Sequence, residues 1–416
     1  MKRSPLIIIF TTVFIDLVGF GIVIPVLPFY AEGTIFNATP RTVGVLFASY
    51  SVMQLIFSPI LGRLSDKHGR RPILFLSIIG TGLGFLLLGF ATTLWMLFAG
   101  RILDGITGGN ISTAQAYIAD ITTTENRAKG MGMIGAAFGL GFIFGPAIGG
   151  ILSQWGIHVP FFFAASLCFA NAILLYFRLP ETITADHPAK HQAAGGRGWR
   201  QLINSLKQPR LASVLSIYFL FVVAFSIMTS TFAFYTMFRF GYDAKHTGYL
   251  FAYVGVIAVI IQGGLIGRLV KRYGELPLVI VGALCFAFSL FAVPFVGPAA
   301  GGLAALLVGG GVFSMGNSLA TPALTSLASK SVGPAEQGTV LGVTQSVASL
   351  ARAVGPSLQA LLIASPVAYL GADGDLHFMS DHSLFVTFWT GSGIMFLACF
   401  VALFLSQKKA TWQTTQ

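Results

Sequence analysis

Four ionisable side chains lie inside long apolar stretches of this 416-residue chain, at Asp16, Arg101, Asp104 and Arg352. An ionised carboxylate in hydrocarbon is costly, so Asp16 must either take up a proton or pair with a cation. A group that alternates between those two states can couple proton movement to another process. Arg101 and Asp104 are three residues apart and can pair on one helix face. We therefore predict a proton-coupling site formed by Asp16, Arg101 and Asp104.

These groups also have simpler interpretations. Asp104 can act only as a structural counter-ion that neutralises Arg101. Arg352 can bond backbone carbonyls near 355–356, where a proline leaves an acceptor free. A purely structural role for Asp16 is the weaker interpretation, because its own helix offers it no cation.

Composition places the chain in a membrane. Hydrophobic residues make up 55% of the sequence and charged residues 9%, with a mean hydropathy of +0.80. Soluble proteins carry about 25% charged residues. We predict an all-α integral membrane protein with twelve transmembrane helices in two pseudo-symmetric six-helix bundles. The predicted spans are 5–30, 42–62, 72–91, 94–120, 130–152, 159–179, 211–237, 247–267, 276–298, 301–327, 338–365 and 383–406.

The distribution of positive charge predicts the orientation. If the N-terminus is cytoplasmic, 20 of the 25 Lys and Arg residues fall on the cytoplasmic side. This asymmetry follows the positive-inside rule and explains the net charge of +11 without a nucleic-acid partner. We therefore expect a location in the cell (inner) membrane with both termini in the cytoplasm.

The two halves of the sequence repeat each other. Segment 62–72 resembles 267–277, at an offset of 205, and the Gly-Asn and Gly-Pro pairs at 109–110 and 145–146 recur at offsets of 207 and 210. Duplicated halves with a site between them are typical of alternating-access transporters. We predict an N-terminal bundle at 1–180, a linker at 181–209 and a C-terminal bundle at 210–416. The linker is expected to hold a short amphipathic helix around 199–206, with a flexible tether as the alternative.

Segment 62–72 is the strongest local motif. Its glycines permit a tight turn, and it places one carboxylate among several cations, which suits ion pairs or a helix N-terminus. The alternative is a loop that only anchors the topology through its positive charge. We assign a cytoplasmic gate to Gly62, Asp66, Gly69, Arg70 and Arg71, together with Arg127 of the next cytoplasmic loop.

Glycines recur along the fifth predicted span, where Gly141, Gly145, Pro146, Gly149 and Gly150 form one motif. No strand precedes them, so dinucleotide binding is excluded, and close helix packing explains them. The chain holds no phosphate-binding G-x-x-x-x-G-K-[ST] motif, so ATP is not expected to be the energy source.

Scattered polar and aromatic residues within the spans are candidates for a substrate cavity, although helix–helix hydrogen bonding and packing explain any single one equally well. They are Tyr50, Gln54, Asn110, Gln115, Phe225, Tyr235, Asn317, Gln345 and Arg352. The predicted external loop at 366–383 contains acidic residues and histidines, but its spacing fits no metal-ligand pattern, so we expect no metal site.

These motifs together resemble those of the major facilitator superfamily. The loop 62–72 is similar to its signature, 101–109 to its fourth-helix motif, and 141–150 to the fifth-helix motif associated with antiporters. Segments 16–28 and 116–122 resemble the tetracycline-resistance efflux branch. The resemblance implies that Arg101 takes part in proton transfer and that Asp66 contacts the chain near 336–339. Unlike that branch, the third, eighth and ninth spans lack acidic and histidine residues, which argues against tetracycline itself as the substrate.

We therefore expect a secondary transporter that exports amphiphilic drug-like, and possibly tetracycline-like, compounds in exchange for protons. The expected partners are a small-molecule substrate, protons and the lipid bilayer, for a monomer that is no enzyme and holds no cofactor, with the proton gradient as its energy source. One alternative is a proton symporter for a sugar or metabolite, against which the glycine motif argues. The other is a membrane receptor or scaffold that transports nothing.

Overall fold

The computed structural model describes residues 3–32, 35–183, 208–332, 337–363, 369–370, 376–377 and 380–413. The predicted amphipathic helix of the linker lies outside these residues. Of the loop at 366–383, the described part is a small antiparallel pair of strands, β1 (Tyr369–Leu370) and β2 (Leu376–His377), together with the final residues from 380.

The helices of the first half are α1 (Arg3–Glu32), α2 (Pro40–His68), α3 (Arg70–Gly89), α4 (Leu94–Thr107), α5 (Ile111–Ile121), α6 (Thr124–Leu152) and α7 (Val159–Arg178). Those of the second half are α8 (Pro209–Phe240), α9 (Ala244–Ile260), α10 (Ile266–Tyr273), α11 (Glu275–Ala292), α12 (Gly302–Lys330), α13 (Gln337–Leu362) and α14 (Asp381–Gln413). A 3₁₀ turn, Gly108–Asn110, joins α4 to α5, and a π turn, Ile261–Leu265, joins α9 to α10.

Within the described residues, 10 helices are long and apolar enough to cross a membrane, with α9 to α10 counted as one. The two remaining predicted spans are helical as well. The fourth is divided by the 3₁₀ turn into α4 and α5, and the eleventh is α13, which carries many polar residues among its apolar ones. The predicted all-α membrane fold is confirmed.

Helix packing follows the sequence repeat. In the first half, α1 packs along α6, and α3 packs along α4 and α7. In the second half, α8 packs along α13, and α11 packs along α12 and α14, which is the same arrangement. The most extensive contacts between the halves are those of α2 with α13 and of α6 with α9. The interface between the halves therefore has one such helix pair on each of its two sides, and the repeat relates the two pairs to each other.

The repeated glycine turns explain where two of the helices end. Gly69 ends α2 at φ 101°, and Gly274, 205 residues later, ends α10 at φ 79°. Residues with side chains rarely adopt these positive φ values, so glycine permits the next helix to start immediately. The tight turn predicted for segment 62–72 is therefore present in both halves.

The interface is tight at one end and open at the other. At what we call the closed end, a Cβ added to Gly150 of α6 would lie 2.7 Å from the Cα of Gly248 in α9. On the other side of the interface, a Cβ on Gly44 of α2 would lie 2.6 Å from the Cβ of Ala360 in α13. At the open end, a Cβ on Gly132 would meet no described atom within 4 Å. The two halves therefore touch at one end and separate towards the other.

Candidate functional site

Asp16 is half-buried in the middle of α1. Its Oδ2 accepts a hydrogen bond of 2.5 Å from Nδ2 of Asn110. Its Oδ1 is buried and has no hydrogen-bond partner among the described residues. The carboxyl group therefore contacts a neutral amide and, within the described part of the chain, forms no ion pair.

The 3₁₀ turn of Gly108–Asn110 brings Asn110 to Asp16. Nε2 of Gln54 supports this turn by donating to the carbonyl oxygen of Gly108 at 3.0 Å and to the hydroxyl of Tyr50 at 2.9 Å. The turn approaches α2 closely, because a Cβ on Gly109 would lie 2.9 Å from the backbone of Ser58. Glycine at this point lets the turn and its asparagine reach the interior.

Arg101 and Asp104 form a buried ion pair one turn earlier. Nη1 of Arg101 lies 2.9 Å from Oδ2 of Asp104, and the guanidinium stacks over the ring of Tyr50 at 4.3 Å. Nε and Nη2 of Arg101 are buried without a partner in the described chain. In this conformation the cation is neutralised by Asp104 rather than by Asp16. This pairing agrees with the structural interpretation, in which Asp104 neutralises Arg101. A role of these two residues in proton coupling stays a prediction.

A cavity of about 440 Å³ lies between the two halves. In the first half, α1, α2, α5 and α6 line it, and in the second half α8, α9, α12, α13 and the π turn do. Its walls include Gly132 and Gly135, so it extends to the open end. The π turn contributes Gln262, whose Nε2 donates to Ser318 at 3.3 Å.

Some of the predicted substrate residues line this cavity, and others do not. Those that line it are Gln115, Phe225, Asn317, Gln345 and Arg352. Those that do not are Tyr50, Gln54 and Asn110, which instead surround Asp16 and Arg101, and Tyr235.

Tyr235 requires a correction of its predicted location. Its ring is buried, and its hydroxyl donates to the carbonyl oxygens of Val293 and Val296 at 3.0 and 2.8 Å. These acceptors lie at the 3₁₀ turn Val293–Phe295 and directly after it. The hydroxyl of Tyr235 therefore links α8 to the turn that follows α11. Sequence alone could not separate this role from cavity lining, since both place a tyrosine inside a span.

Aromatic rings cross the cavity from one half to the other. Phe225 of α8 contacts Phe142 of α6 at a centroid distance of 5.5 Å and Phe313 of α12 at 6.0 Å. Phe142 in turn contacts Phe20 of α1 at 5.6 Å. Apart from Phe225, sequence reasoning missed these residues, because 38 phenylalanines gave no positional signal.

Arg352 enters the cavity from α13. Its Nη2 donates to the hydroxyl of Ser349 at 3.1 Å, and its guanidinium lies over the ring of Phe138 at 5.6 Å. These partners differ from the backbone carbonyls near 355–356 that the sequence suggested. Phe138 belongs to the first half, so this contact crosses the interface.

The predicted gate is centred on Arg70. Its guanidinium contacts Asp66 at 2.5 Å and Asp120 at 3.1 Å, and it donates to the hydroxyl of Ser65 at 2.7 Å. Arg71 donates to the backbone oxygen of Tyr176 in α7. Arg70 thus contacts acidic side chains and Arg71 a backbone carbonyl group of another helix.

The structure gives different results for the remaining residues that were assigned to the gate. Gly69 supplies the positive φ described above, whereas a Cβ on Gly62 would meet only the Ser112 side chain at an ordinary 3.5 Å. The side chain of Arg127 and the predicted contact of Asp66 near 336–339 lie outside the described residues.

Glu181 contacts the predicted gate, and sequence reasoning missed it. Its carboxylate oxygens accept hydrogen bonds of 3.0 Å from the backbone nitrogens of both Arg70 and Arg71. The first N–H groups of a helix lack intrahelical acceptors, so this carboxylate caps α3. The available signal was a single acidic residue shortly after α7, on the side of the membrane where the sequence also predicts the basic loop 62–72.

The glycines of the fifth-span motif bring α1 and α6 into backbone contact. Cβ atoms added at Gly141, Gly145 and Gly149 would lie 2.4 Å from the Cβ of Leu17, 2.6 Å from the Cα of Gly21 and 2.8 Å from the Ile22 oxygen. Gly150 forms the closed end, and Pro146 lines the cavity. These contacts provide the close packing that the sequence predicted.

The chain is a member of the Major Facilitator Superfamily, whose family model matches residues 9–356. It is 32% identical to the class H tetracycline resistance protein of Pasteurella multocida over 99% of this chain and 98% of that protein. It is 31% identical to multidrug resistance protein 2 of Bacillus subtilis (strain 168), over 88% and 91% of the two chains. The family resemblance deduced from the motifs is confirmed.

Solved structures share the fold at low identity. The human organic anion transporter MFSD10 (TETRAN) gives a TM-score of 0.70 at 24% identity, covering 96% of this chain and 99% of that one. The nucleoside transporter NupG gives 0.71 at 13% identity, over 97% and 99%. The chain is therefore a membrane-embedded protein with the transporter fold of its superfamily.

Proposed function

We propose that this protein exports amphiphilic drug-like compounds in exchange for protons, by alternating access between two bundles at 1–180 and 210–416. The cavity between the halves, closed at one end and open at the other, is the observation that carries this proposal. Its aromatic walls suit amphiphilic molecules. The tetracycline and multidrug resistance proteins among its relatives favour drugs as the substrates.

Proton coupling is assigned to Asp16. A half-buried carboxyl with one unpartnered oxygen changes its state more readily than one held in an ion pair, as Asp104 is. In the proposed cycle, Asp16 takes up a proton when the substrate leaves on the outside and releases it when the cavity faces the cytoplasm and reloads. Arg101 lies nearby and would favour the ionised form if rocking of the bundles brought it closer.

The open end is assigned to the cytoplasm, because the positive-inside rule places both termini and the 62–72 loop there. The ion pairs of Arg70 with Asp66 and Asp120, and the hydrogen bond from Arg71 to Tyr176 of α7, would stabilise one gate conformation and break in the other. This arrangement corresponds to a monomer in the cell membrane that uses the proton gradient and needs neither a cofactor nor catalysis.

The test uses purified protein in vesicles of known orientation, with a pH-sensitive dye trapped inside. Movement of a transported compound, from a panel that includes tetracycline and fluorescein, should drive protons in the opposite direction. Proton movement in the same direction as the substrate would show symport instead, and no response to a broad panel would favour a scaffold. Asp16→Asn should abolish the proton signal, whereas the matched variant Asp243→Asn, at the exposed start of α9, should retain it.

A further inference from the structure

We propose that Arg352 binds an acidic group of the transported substrate, so that the cavity selects anionic and zwitterionic amphiphiles over cations. This inference rests on the proposed export function and names the substrate class of the same cavity. It depends on the charge of the cavity wall, on the partners of Arg352 and on a second hydrogen-bond donor beside it.

Arg352 is the single charged residue among the described residues that line the cavity. The two nearby carboxyl groups of the first half, Asp16 and Asp104, are not part of the wall. Arg101 is not part of the wall either, and its charge is already matched by Asp104. The wall that a substrate touches is therefore positive.

The partners of Arg352 leave its charge unmatched. A guanidinium has five N–H donors, and the hydrogen bond to the neutral hydroxyl of Ser349 uses one of them. No carboxylate in the described part of the chain forms an ion pair with it. The face of Phe138 at 5.6 Å compensates only part of the cost of a cation within the membrane. An acidic group on the substrate would supply the missing counter-ion.

Gln345 offers a second donor on the same side of α13. It lines the cavity, and its Nε2 is buried without a partner among the described residues. Residues seven apart lie on one helix face, about 10 Å from each other along the axis. Gln345 and Arg352 can therefore bind polar groups at two points of one molecule, while Phe138 and Phe225 contact its apolar body.

The test compares two dyes that share a xanthene ring system but differ in charge. Fluorescein is an anion at neutral pH and rhodamine 123 is a cation. Binding is measured by fluorescence polarisation to the full-length protein in nanodiscs of phosphatidylcholine, with empty nanodiscs as the blank. We expect tighter binding of fluorescein, and Arg352→Gln should weaken it about tenfold to hundredfold, because a charged hydrogen-bond partner is lost. Rhodamine 123 binding should stay equal or improve.

Three variants make the result specific. Arg352→Lys keeps the charge and should bind fluorescein within about fivefold of wild type, which a purely structural arginine would not explain. Gln345→Leu should weaken fluorescein by about three- to tenfold. Lys271→Gln removes the same charge from an exposed position at the end of α10 and should change nothing. Size-exclusion profiles and melting temperatures confirm that each variant is folded.

Several outcomes overturn the inference. Equal or tighter binding of rhodamine 123 by the wild type would leave the export function standing but refute anion selection. Equal loss of both dyes in Arg352→Gln would show a structural role. Binding of neither dye would refute this cavity as a site for organic anions, while the vesicle assay with its broad panel still decides whether the protein is an exporter.

Discussion

The same Gly-Asn pair occurs at corresponding places in the two halves but has a different structure in each. In the first half, residues 108–110 form a 3₁₀ turn that breaks the fourth span and carries Asn110 to Asp16. In the second half, Asn317 lies inside the unbroken helix α12, lines the cavity and accepts a hydrogen bond from Thr321. Equivalent sequence positions have thus acquired different environments.

The charged groups differ in the same way. The first half holds Asp16 and the Arg101–Asp104 pair outside the cavity wall, whereas the second half places the unmatched Arg352 in the wall. Packing, by contrast, is repeated, since α1 with α6 corresponds to α8 with α13. The comparison indicates that the duplicated scaffold is shared while the proposed chemistry is divided, with protons in the first half and substrate charge in the second.

Removal of either of two intramembrane arginines, the buried Arg101 or the half-buried Arg352, should give the largest contrast in stability. Arg101→Gln leaves Asp104 buried without its cation, and breaking such a pair costs about 3–5 kcal/mol. Arg352→Gln leaves no carboxylate unpaired within the described chain and should cost far less. Thermal unfolding of both variants in the same detergent measures the difference. Equal losses of stability in the two variants would contradict the predicted difference between the halves.

The gate residues should give a smaller contrast. Arg70 is 3% exposed and contacts Asp66 and Asp120, whereas its counterpart cluster in the second half pairs Glu275 with Lys330, whose side chain is 62% exposed. Arg70→Gln should cost about 1.5–3 kcal/mol and Lys330→Gln less than about 1 kcal/mol. Denaturant titration of both variants tests this order, and a larger loss at Lys330 would contradict it.

Sequence reasoning predicted the contacts between residues that are close in the chain, for physical reasons. The motif contains both charges and both glycines, so the ion pair of Arg70 with Asp66 and the positive φ of Gly69 followed from it. The spacing of three between Arg101 and Asp104 predicted their contact. Both results depend on neighbours close in the chain.

Contacts between distant helices were harder to predict. The 3₁₀ turn of Gly108–Asn110 depends on Gln54 from α2, and the contact of Arg352 with Phe138 depends on how the halves meet. The positions of Tyr235 and Glu181 depend likewise on residues about 58 and 111 positions away. No local sequence pattern indicates which distant helices come into contact. The sequence therefore could not predict these contacts.

The starts of α2 and α9, which occupy corresponding positions in the two halves, should show the smallest contrast. The contrast lies in how the stability of each helix start responds to acid. The start of α2 is capped by the neutral hydroxyl of Thr39, which accepts from the backbone nitrogen of Thr42. At the corresponding start of α9, Asp243 accepts from the backbone nitrogen of His246 at 2.8 Å and from its ring. Burial opposes ionisation, but these hydrogen bonds outweigh it and hold the pKa of Asp243 below its usual value.

A lowered pKa in the folded state means that the stabilisation is present above the usual aspartate pKa, about 3.9, and is lost as the pH falls through the lower folded value. Because the Asp243 side chain is 63% exposed and screened by solvent, acidification should loosen the start of α9 by less than about 1 kcal/mol and leave α2 unchanged. Hydrogen exchange of 244–250 and 40–46 across that pH range measures both. Loosening of α2 by the same amount would show that the effect does not come from Asp243.

The division of chemistry between the halves is tested most directly by counterflow in vesicles loaded with an unlabelled compound that the vesicle assay has shown to be transported, with the same compound in labelled form outside. Asp16→Asn should still exchange the label at the wild-type rate when no pH gradient is present, because the cavity is intact, yet should fail to accumulate it when a gradient is imposed. Gradient-driven accumulation at the wild-type level in Asp16→Asn would contradict the assignment of proton coupling to the first half.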